Sequence, residues 1–320
     1  MTHTVLLPDD PKVDTDIFES QLTDVEFVTI ESGSAARLED APSATAIVAN
    51  TDTPVPRAVF EAHPDLVVVS RLGTGFDNID LGAATDTGVW VTNVPEYSTD
   101  EVATHALSLL LGARRTLLEH DLALRAGTWD WTIGAPAPAL VGSTVGVVSF
   151  GAIARRFVDL LEPFDTDVVV YDPYVDVDTV EAYGARVTDF ESMLEVADAV
   201  SVHAPLTPET EGMFDEEAFA TLPDHAVIVN VGRGGIIDEQ ALVRALEAGE
   251  LAGAGLDVFA EEPLEDSPLL ERNDVFCTPH SAWYSEASKQ VLNETAAANV
   301  STALEGSRPP DAIDVDGEWL

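Results

Sequence analysis

The stretch Thr144-Val145-Gly146-Val147-Val148-Ser149-Phe150-Gly151-Ala152-Ile153-Ala154 leads, thirteen residues on, into Asp167-Val168-Val169-Val170-Tyr171-Asp172. Its reading decides the fold. An apolar strand over 144–149 turns through small residues into a helical pattern running to about residue 164. A second strand, 167–171, then ends on an acidic residue. This is the spacing of a dinucleotide fingerprint, G-x-G-x-x-G/A with an acid about 20 positions on. Gly151 lets the backbone approach a pyrophosphate, and Ala154 is small enough for the helix to pack on the strand. Ala152 and Ile153 open the helix, whose free N–H groups and positive dipole end suit phosphate. Ser149 departs from the pattern, since its position calls for glycine in the tight turn. Asp172 would accept hydrogen bonds from the adenosine ribose hydroxyls and repel a 2′-phosphate, so NAD(H) is expected over NADP(H). Without a ligand, the same residues could form a plain strand–helix–strand crossover with Asp172 as a turn residue before Pro173.

Outward from this unit, short apolar runs alternate with helical patterns. Strands are expected at 4–7, 25–30, 46–50, 66–70 and 89–93 in the first third. Further strands are expected at 144–149, 167–171, 199–203, 226–231, 253–257 and 275–278. Runs such as Val168-Val169-Val170 suit strands buried on both faces of a parallel sheet. The expected class is therefore α/β, with two doubly wound parallel-sheet units, in line with 320 residues at roughly 150 per domain. A long helix is expected from Ser98 or Thr99 to about residue 113, and another over 285–304. Residues 127–142, with Trp129, Trp131, Pro136 and Pro138, read as an irregular arm whose aromatics are expected to serve packing, for example against a partner subunit, rather than chemistry. No internal repeat and no low-complexity segment is present.

The chain carries 58 acidic and 15 basic residues, a formal charge of −43, and only two lysines, Lys12 and Lys289. Nucleic acid and anionic membrane surfaces are excluded as partners, because both require clustered cations. The acid is spread along the chain, so the folded body repels itself in dilute buffer. At 1 M salt the Debye length is about 3 Å and that repulsion is largely screened. A salt-filled cytoplasm, as in extreme halophiles, is the expected setting. One cysteine, Cys277, permits no intrachain disulfide. No basic leader and no apolar run of about 18 residues is seen, and no His/Cys/Asp/Glu spacing suggests a metal site.

Three later segments place polar residues after apolar runs, where open α/β sheets hold ligands. They are Asn230-Val231-Gly232-Arg233-Gly234-Gly235, Asp257-Val258-Phe259-Ala260-Glu261-Glu262-Pro263 and Cys277-Thr278-Pro279-His280-Ser281-Ala282-Trp283-Tyr284. In this order, after the fingerprint, they resemble the D-2-hydroxyacid dehydrogenase family. Arg71-Leu72-Gly73-Thr74-Gly75-Phe76-Asp77-Asn78-Ile79-Asp80, Asn93-Val94-Pro95 and His203-Ala204-Pro205-Leu206-Thr207 extend the likeness over nearly the whole chain. Gly75 to Asp80 and Ala282 to Glu286 look most like the C-terminal-binding-protein branch.

The resemblance implies a flavodoxin-like substrate domain from residues 1–97 plus 287–320, and a Rossmann-type NAD-binding domain from 98–286. The reaction would lie in the cleft between them. It implies Arg233, Glu262 and His280 as the catalytic set. His280 would give a proton to the carbonyl of a 2-oxo acid, Glu262 would orient its ring, and Arg233 would grip the substrate carboxylate. Glu262 is preferred to Glu261 because it precedes Pro263. The N–H groups of Gly73, Thr74 and Gly75 would form a nest for that carboxylate, with Arg71 adding charge. Trp283 would stand at the pocket wall and favour an apolar or thioether tail. The NAD cleft would take Thr74, Ser149, Gly151, Ala152, Ile153, Asp172, His203, Ala204, Pro205, Thr210, Val231, Gly232, Arg233, Asp257 and His280. His105, on the long helix, reads as structural. The expected protein is a cytoplasmic homodimer formed through the NAD-binding domain. Two alternatives follow from the same likeness. One is phosphoglycerate dehydrogenase, which Trp283 and the length disfavour. The other is an NAD(H)-sensing interaction protein.

Overall fold

The computed structural model describes residues 2–31, 35–134 and 139–314. Two compact units emerge, one from 1–97 with 285–320 and the other from 98–284. Pro136 and Pro138 of the arm, and residues 315–320, lie outside the described residues.

The first unit is built on five parallel strands: β1 (His3–Asp9), β2 (Val25–Glu31), β3 (Ala46–Ala49), β4 (Val68–Arg71) and β5 (Trp90–Thr92). Their order is β2-β1-β3-β4-β5, the flavodoxin-like arrangement. The long helix Glu286–Leu304 returns to this unit and packs on β3, β4 and β5. Leu292, Ala296, Ala297 and Val300 form its inner face, each 1% exposed or less. Two buried asparagines pin it in place. Asn293 accepts from Asp14 N at 2.8 Å and donates to the Lys12 carbonyl, and Asn299 donates to Asp311 at 3.0 Å. Bonds of this kind contribute about 1 kcal/mol each, and leaving either partner buried alone would cost more.

The second unit carries seven parallel strands: β6 (Thr144–Val148), β7 (Asp167–Tyr171), β8 (Arg186–Val187), β9 (Ala199–Val202), β10 (Val227–Asn230), β11 (Gly253–Leu256) and β12 (Val275–Cys277). Their order, β12-β11-β10-β9-β6-β7-β8, reverses direction between β6 and β9. That reversal is the switch point at which open α/β sheets bind ligands. Helix Thr99–Arg114 covers β10 and β11. Gly255 allows this approach, because a Cβ there would stand 2.7 Å from Leu109 Cβ.

The eleven expected strands all form, each within two residues of its expected ends. β8 was not anticipated, since two residues make no readable run. Helix Leu117–Arg125 was not anticipated either. It buries none of its residues, so it has no one-sided apolar pattern to betray it. Leu117, Leu122 and Leu124 on it are exposed, as are Trp129 and Trp131 beyond it, the two indoles at 90% and 85%.

Candidate active site

Ser149 ends β6 with φ +69°, so the turn does take the left-handed conformation that glycine adopts without cost. Helix Ala152–Leu161 then starts with Gly151 as its cap and no side-chain hydrogen bond there. Six other helices are capped by the side chain of an aspartate, namely Asp14, Asp80, Asp176, Asp189, Asp215 and Asp238. The fingerprint helix also has no acid in its first turn. In so acidic a chain, this end alone among those seven keeps its N–H groups open to an outside anion. A Cβ on Gly151 would meet nothing within 4 Å, so packing does not require glycine there. The residues present therefore fit a pyrophosphate.

Asp172 is fixed beside this turn. Its Oδ2 accepts from Phe150 N at 2.8 Å and its Oδ1 from Tyr174 N at 2.9 Å. It is thus both a turn residue and a carboxylate held against the fingerprint loop. Around the next strand ends, Thr210 Oγ accepts from Thr207 N at 2.8 Å and donates to the Pro205 carbonyl at 2.7 Å, which fixes the loop that follows Ala204. The His203 ring turns inward, with Nε2 2.9 Å from Ser201 Oγ and the ring packed on Phe157. Burial pushes the His203 imidazole down to about 3, so it stays neutral at physiological pH. Only its backbone is left to face a cofactor. Val231 N donates to the Val202 carbonyl, and Gly232 N to Asn230 Oδ1.

Asn230 shapes the arginine loop from inside, since its Nδ2 also donates to the Arg233 carbonyl at 2.9 Å. Gly234 brings this loop hard against the next one. A Cβ on Gly234 would fall 1.9 Å from the Phe259 carbonyl carbon, which no relaxation of a side chain could relieve. Phe259 N in turn donates to Glu262 Oε1 at 2.9 Å. His280 Nδ1–H donates to Glu262 Oε2 at 2.7 Å, which leaves Nε2 for a substrate. Both side chains remain accessible, at 30% and 25% exposure. Burial alone would raise the Glu262 carboxyl. The hydrogen bond and charge of His280, the Phe259 amide and the Arg233 charge outweigh it and hold Glu262 below the usual range. Arg233, Glu262 and His280 thus share one electrostatic neighbourhood.

Asp257, expected to line the NAD cleft, has its side chain engaged in the loop after β12. The residue is 1% exposed, and it holds three consecutive amides of the loop after β12. His280 N donates to its carbonyl, Ser281 N to Oδ1 and Ala282 N to Oδ2, at 2.8, 2.9 and 2.9 Å. Thr278 Oγ–H adds a fourth bond, to Oδ1 at 2.6 Å. His280 has φ +48°, a strained conformation for a residue with a side chain, and this clamp sustains it.

Trp283, expected at the pocket wall, is nearly buried. It is 9% exposed and stacks edge-on against exposed Tyr284, with ring centroids 5.4 Å apart. A cleft of the larger unit is lined by Asp100, Glu101, Thr104, His105, Ser108, Ser281, Ala282 and Tyr284. Tyr284 is therefore the aromatic of that cleft, and the indole is packed away. A hydrophobic ring of that size gains more from burial than the phenol does, which no spacing rule reveals.

In the first unit, Gly73 N donates to the Arg71 carbonyl at 3.0 Å, so the expected nest loses one of its three N–H groups. Thr74 Oγ donates to the Val94 carbonyl, and Asn93 Nδ2 donates to the Thr74 carbonyl at 2.7 Å. Those bonds present the Thr74-Gly75 amides as a fixed pair. Arg71 is 5% exposed, with its guanidinium donating to the Leu72 carbonyl and to Thr51 Oγ. It is a buried side chain tied to this loop.

Residues 107–282 match the model of the D-isomer specific 2-hydroxyacid dehydrogenase, NAD binding domain. The chain belongs to this family. It is 41% identical over 276 residues to a D-3-phosphoglycerate dehydrogenase of Mycobacterium leprae, covering 86% of this chain and 52% of that protein. It is 38% identical over 261 residues to a glyoxylate reductase of Thermofilum pendens, covering 80% and 77%. A solved glyoxylate reductase from Paecilomyes thermophila superposes with a TM-score of 0.89 at 26% identity, covering 99% of both chains. The chain spans about half the length of the D-3-phosphoglycerate dehydrogenases it matches. Family membership makes the larger unit an NAD-binding domain. Among the described residues, no helix is long and apolar enough to cross a membrane, and no cluster of three His, Cys, Asp or Glu side chains could hold a metal ion.

Proposed function

We propose that this protein is an NAD-dependent 2-hydroxyacid dehydrogenase that reduces a 2-oxo acid to the D-2-hydroxy acid. The observation that carries the reading is the 2.7 Å bond from His280 Nδ1 to an ionised Glu262, which aims Nε2 outward as a proton donor. NADH would supply the hydride to the substrate's C2. The open end of helix Ala152–Leu161 would receive the pyrophosphate, and Asp172 the adenosine ribose, with a penalty for a 2′-phosphate. His280 would protonate the carbonyl oxygen as the hydride arrives. Arg233 would bind the substrate carboxylate through its planar fork, and the Thr74 and Gly75 amides would complete the grip.

With Trp283 packed away, the reason for expecting an apolar substrate tail lapses, and with it one reason to disfavour a phosphorylated substrate. A second reading, oxidation of D-3-phosphoglycerate, gains support from the relatives at about 40% identity. A homodimer through the larger unit is supported by the exposed leucines and indoles of residues 117–131. A salt-rich cytoplasm is supported by the net charge.

The test is NADH oxidation in about 3 M KCl, a concentration chosen to screen the charge. The panel is glyoxylate, hydroxypyruvate, pyruvate, 2-oxoisocaproate, 4-methylthio-2-oxobutyrate, phenylpyruvate and 3-phosphohydroxypyruvate. Turnover of an unphosphorylated acid supports the leading reading, and strong preference for the phosphorylated one supports the second. No turnover of any, with NADH bound, overturns both.

A further inference from the structure

His105 enters the same loop from a different element. It lies on helix Thr99–Arg114, lines the cleft beside Ser281 and Ala282, and has a side chain 24% exposed. Its Nε2 is 2.9 Å from Thr278 Oγ and 3.5 Å from Asp257 Oδ1. The directions of these bonds can be assigned. Thr278 has one hydroxyl proton, and the 2.6 Å contact spends it on the Asp257 carboxylate. Thr278 Oγ must then accept from His105, so His105 carries its proton on Nε2. The chain of donors runs His105 to Thr278 to Asp257, and Asp257 holds the amides of Ser281 and Ala282 while its carbonyl holds that of His280.

We propose that His105 and Thr278 are positioning residues for His280, fixing through Asp257 the strained loop from which the proton donor projects. This rests on the reading of His280 as the acid of a 2-oxo acid reductase. Among the described residues the hydrogen bonds of both side chains run toward Asp257 and not to the His280 ring. Their effect is on placement, and a displacement of about 1 Å at a reacting group can cost about 10²-fold in rate. A loop with one amide held by the Asp257 carbonyl and the next two held by its carboxylate has few ways to yield. Freeing the carboxylate's Oδ1 partner lets that carboxylate rotate, and two of the three amides move with it.

The experiment compares wild type with Thr278→Val, Thr278→Ser, His105→Leu and His105→Gln in the full chain at about 3 M KCl, again to screen charge. Thermal unfolding and NADH binding by fluorescence are measured alongside kcat and KM for the best 2-oxo acid. The expected result is a fall in kcat of about tenfold or more in Thr278→Val and His105→Leu, from the displacement argument. KM and NADH affinity should stay within about twofold, since placement of the donor and not binding is affected. Thr278→Ser and His105→Gln, which keep the hydroxyl and the donor, should recover most of the rate. Unchanged kcat in both disruptive variants overturns the inference and leaves the reductase reading intact. So does a loss confined to KM or NADH affinity, or one that the conservative variants fail to rescue. Should Thr278→Val not fold, His105→Leu, at the cleft surface, decides alone. A wild-type protein that binds NADH and reduces no 2-oxo acid overturns the reductase reading itself, and the inference falls with it.

Discussion

Two loops of the larger unit leave their strands through a residue with a side chain in the left-handed region, Ser149 after β6 and His280 after β12, and they are held very differently. Ser149 is tied by one backbone bond, from its N–H to the Tyr171 carbonyl at 2.9 Å. His280 donates its N–H to two carbonyls, its ring to Glu262, and its next two neighbours donate to the Asp257 carboxylate. Backbone strain of about 1–3 kcal/mol persists only where the surroundings enforce it. At 280 the side chain is the reason for the strain, so the structure invests in a clamp. At 149 no side chain is required, and the strain is a residue choice that the surrounding turn tolerates.

The largest expected effect breaks the comparison at its functional side. His280→Gln should lower kcat by at least about 100-fold, the usual contribution of a general acid, with NADH still bound. Near-normal turnover would remove His280 from the chemistry. Asp257→Asn keeps the volume but weakens the acceptors of the clamp. Charged hydrogen bonds of this kind are worth about 1.5–3 kcal/mol, so a loss of about 10- to 100-fold in kcat is expected. A fall in NADH affinity with kcat preserved would instead return Asp257 to the cofactor.

Gly151→Ala separates packing from ligand in the other loop. A Cβ there meets nothing within 4 Å, so the midpoint of unfolding should not move, whereas NADH affinity should drop by about tenfold or more because the pyrophosphate must approach that backbone closely. Equal affinity for NADH would show that the loop is not the phosphate cradle. The smallest effect belongs to Ser149→Gly. Relief of left-handed strain returns about 1–2 kcal/mol, and the looser unfolded chain takes back about 0.4–1 kcal/mol. The variant should gain between about 0 and 1.6 kcal/mol in denaturant unfolding, with activity retained. A destabilised variant would mean that the serine hydroxyl holds the turn.

Both sheets apart from β8, and the helices over 98–113, 152–164 and 285–304, follow from patterns a reader can see, because parallel strands buried on both faces are written as unbroken Val and Ile runs. The candidate catalytic set came from the family resemblance that three strand-end segments carry, and Glu262 was preferred to Glu261 because the residue before Pro263 matches the family position. What escaped lies in relations between distant residues. The Asp257 clamp joins positions 23 to 25 apart, and His105 reaches Thr278 across 173 positions. Trp283 and Tyr284 are adjacent in the chain, and only packing decides which of them is buried. The loss of one nest amide at Gly73 depends on a backbone angle, φ +142°, that the glycine permits but does not announce.

The smaller unit is assembled from two pieces of chain separated by the whole of the larger one. Helix Glu286–Leu304 covers β3, β4 and β5, yet 188 residues intervene between Tyr97 and its start. At about 5–20 residues per second on a ribosome, the first five strands wait about 10–40 s for the helix that seals them. Throughout that interval β3, β4 and β5 lack this helix, while the uninterrupted larger unit can complete itself. Birth order therefore places the period of greatest aggregation risk on the smaller unit, and a cell making this protein must shield that half-finished sheet until its last helix is made.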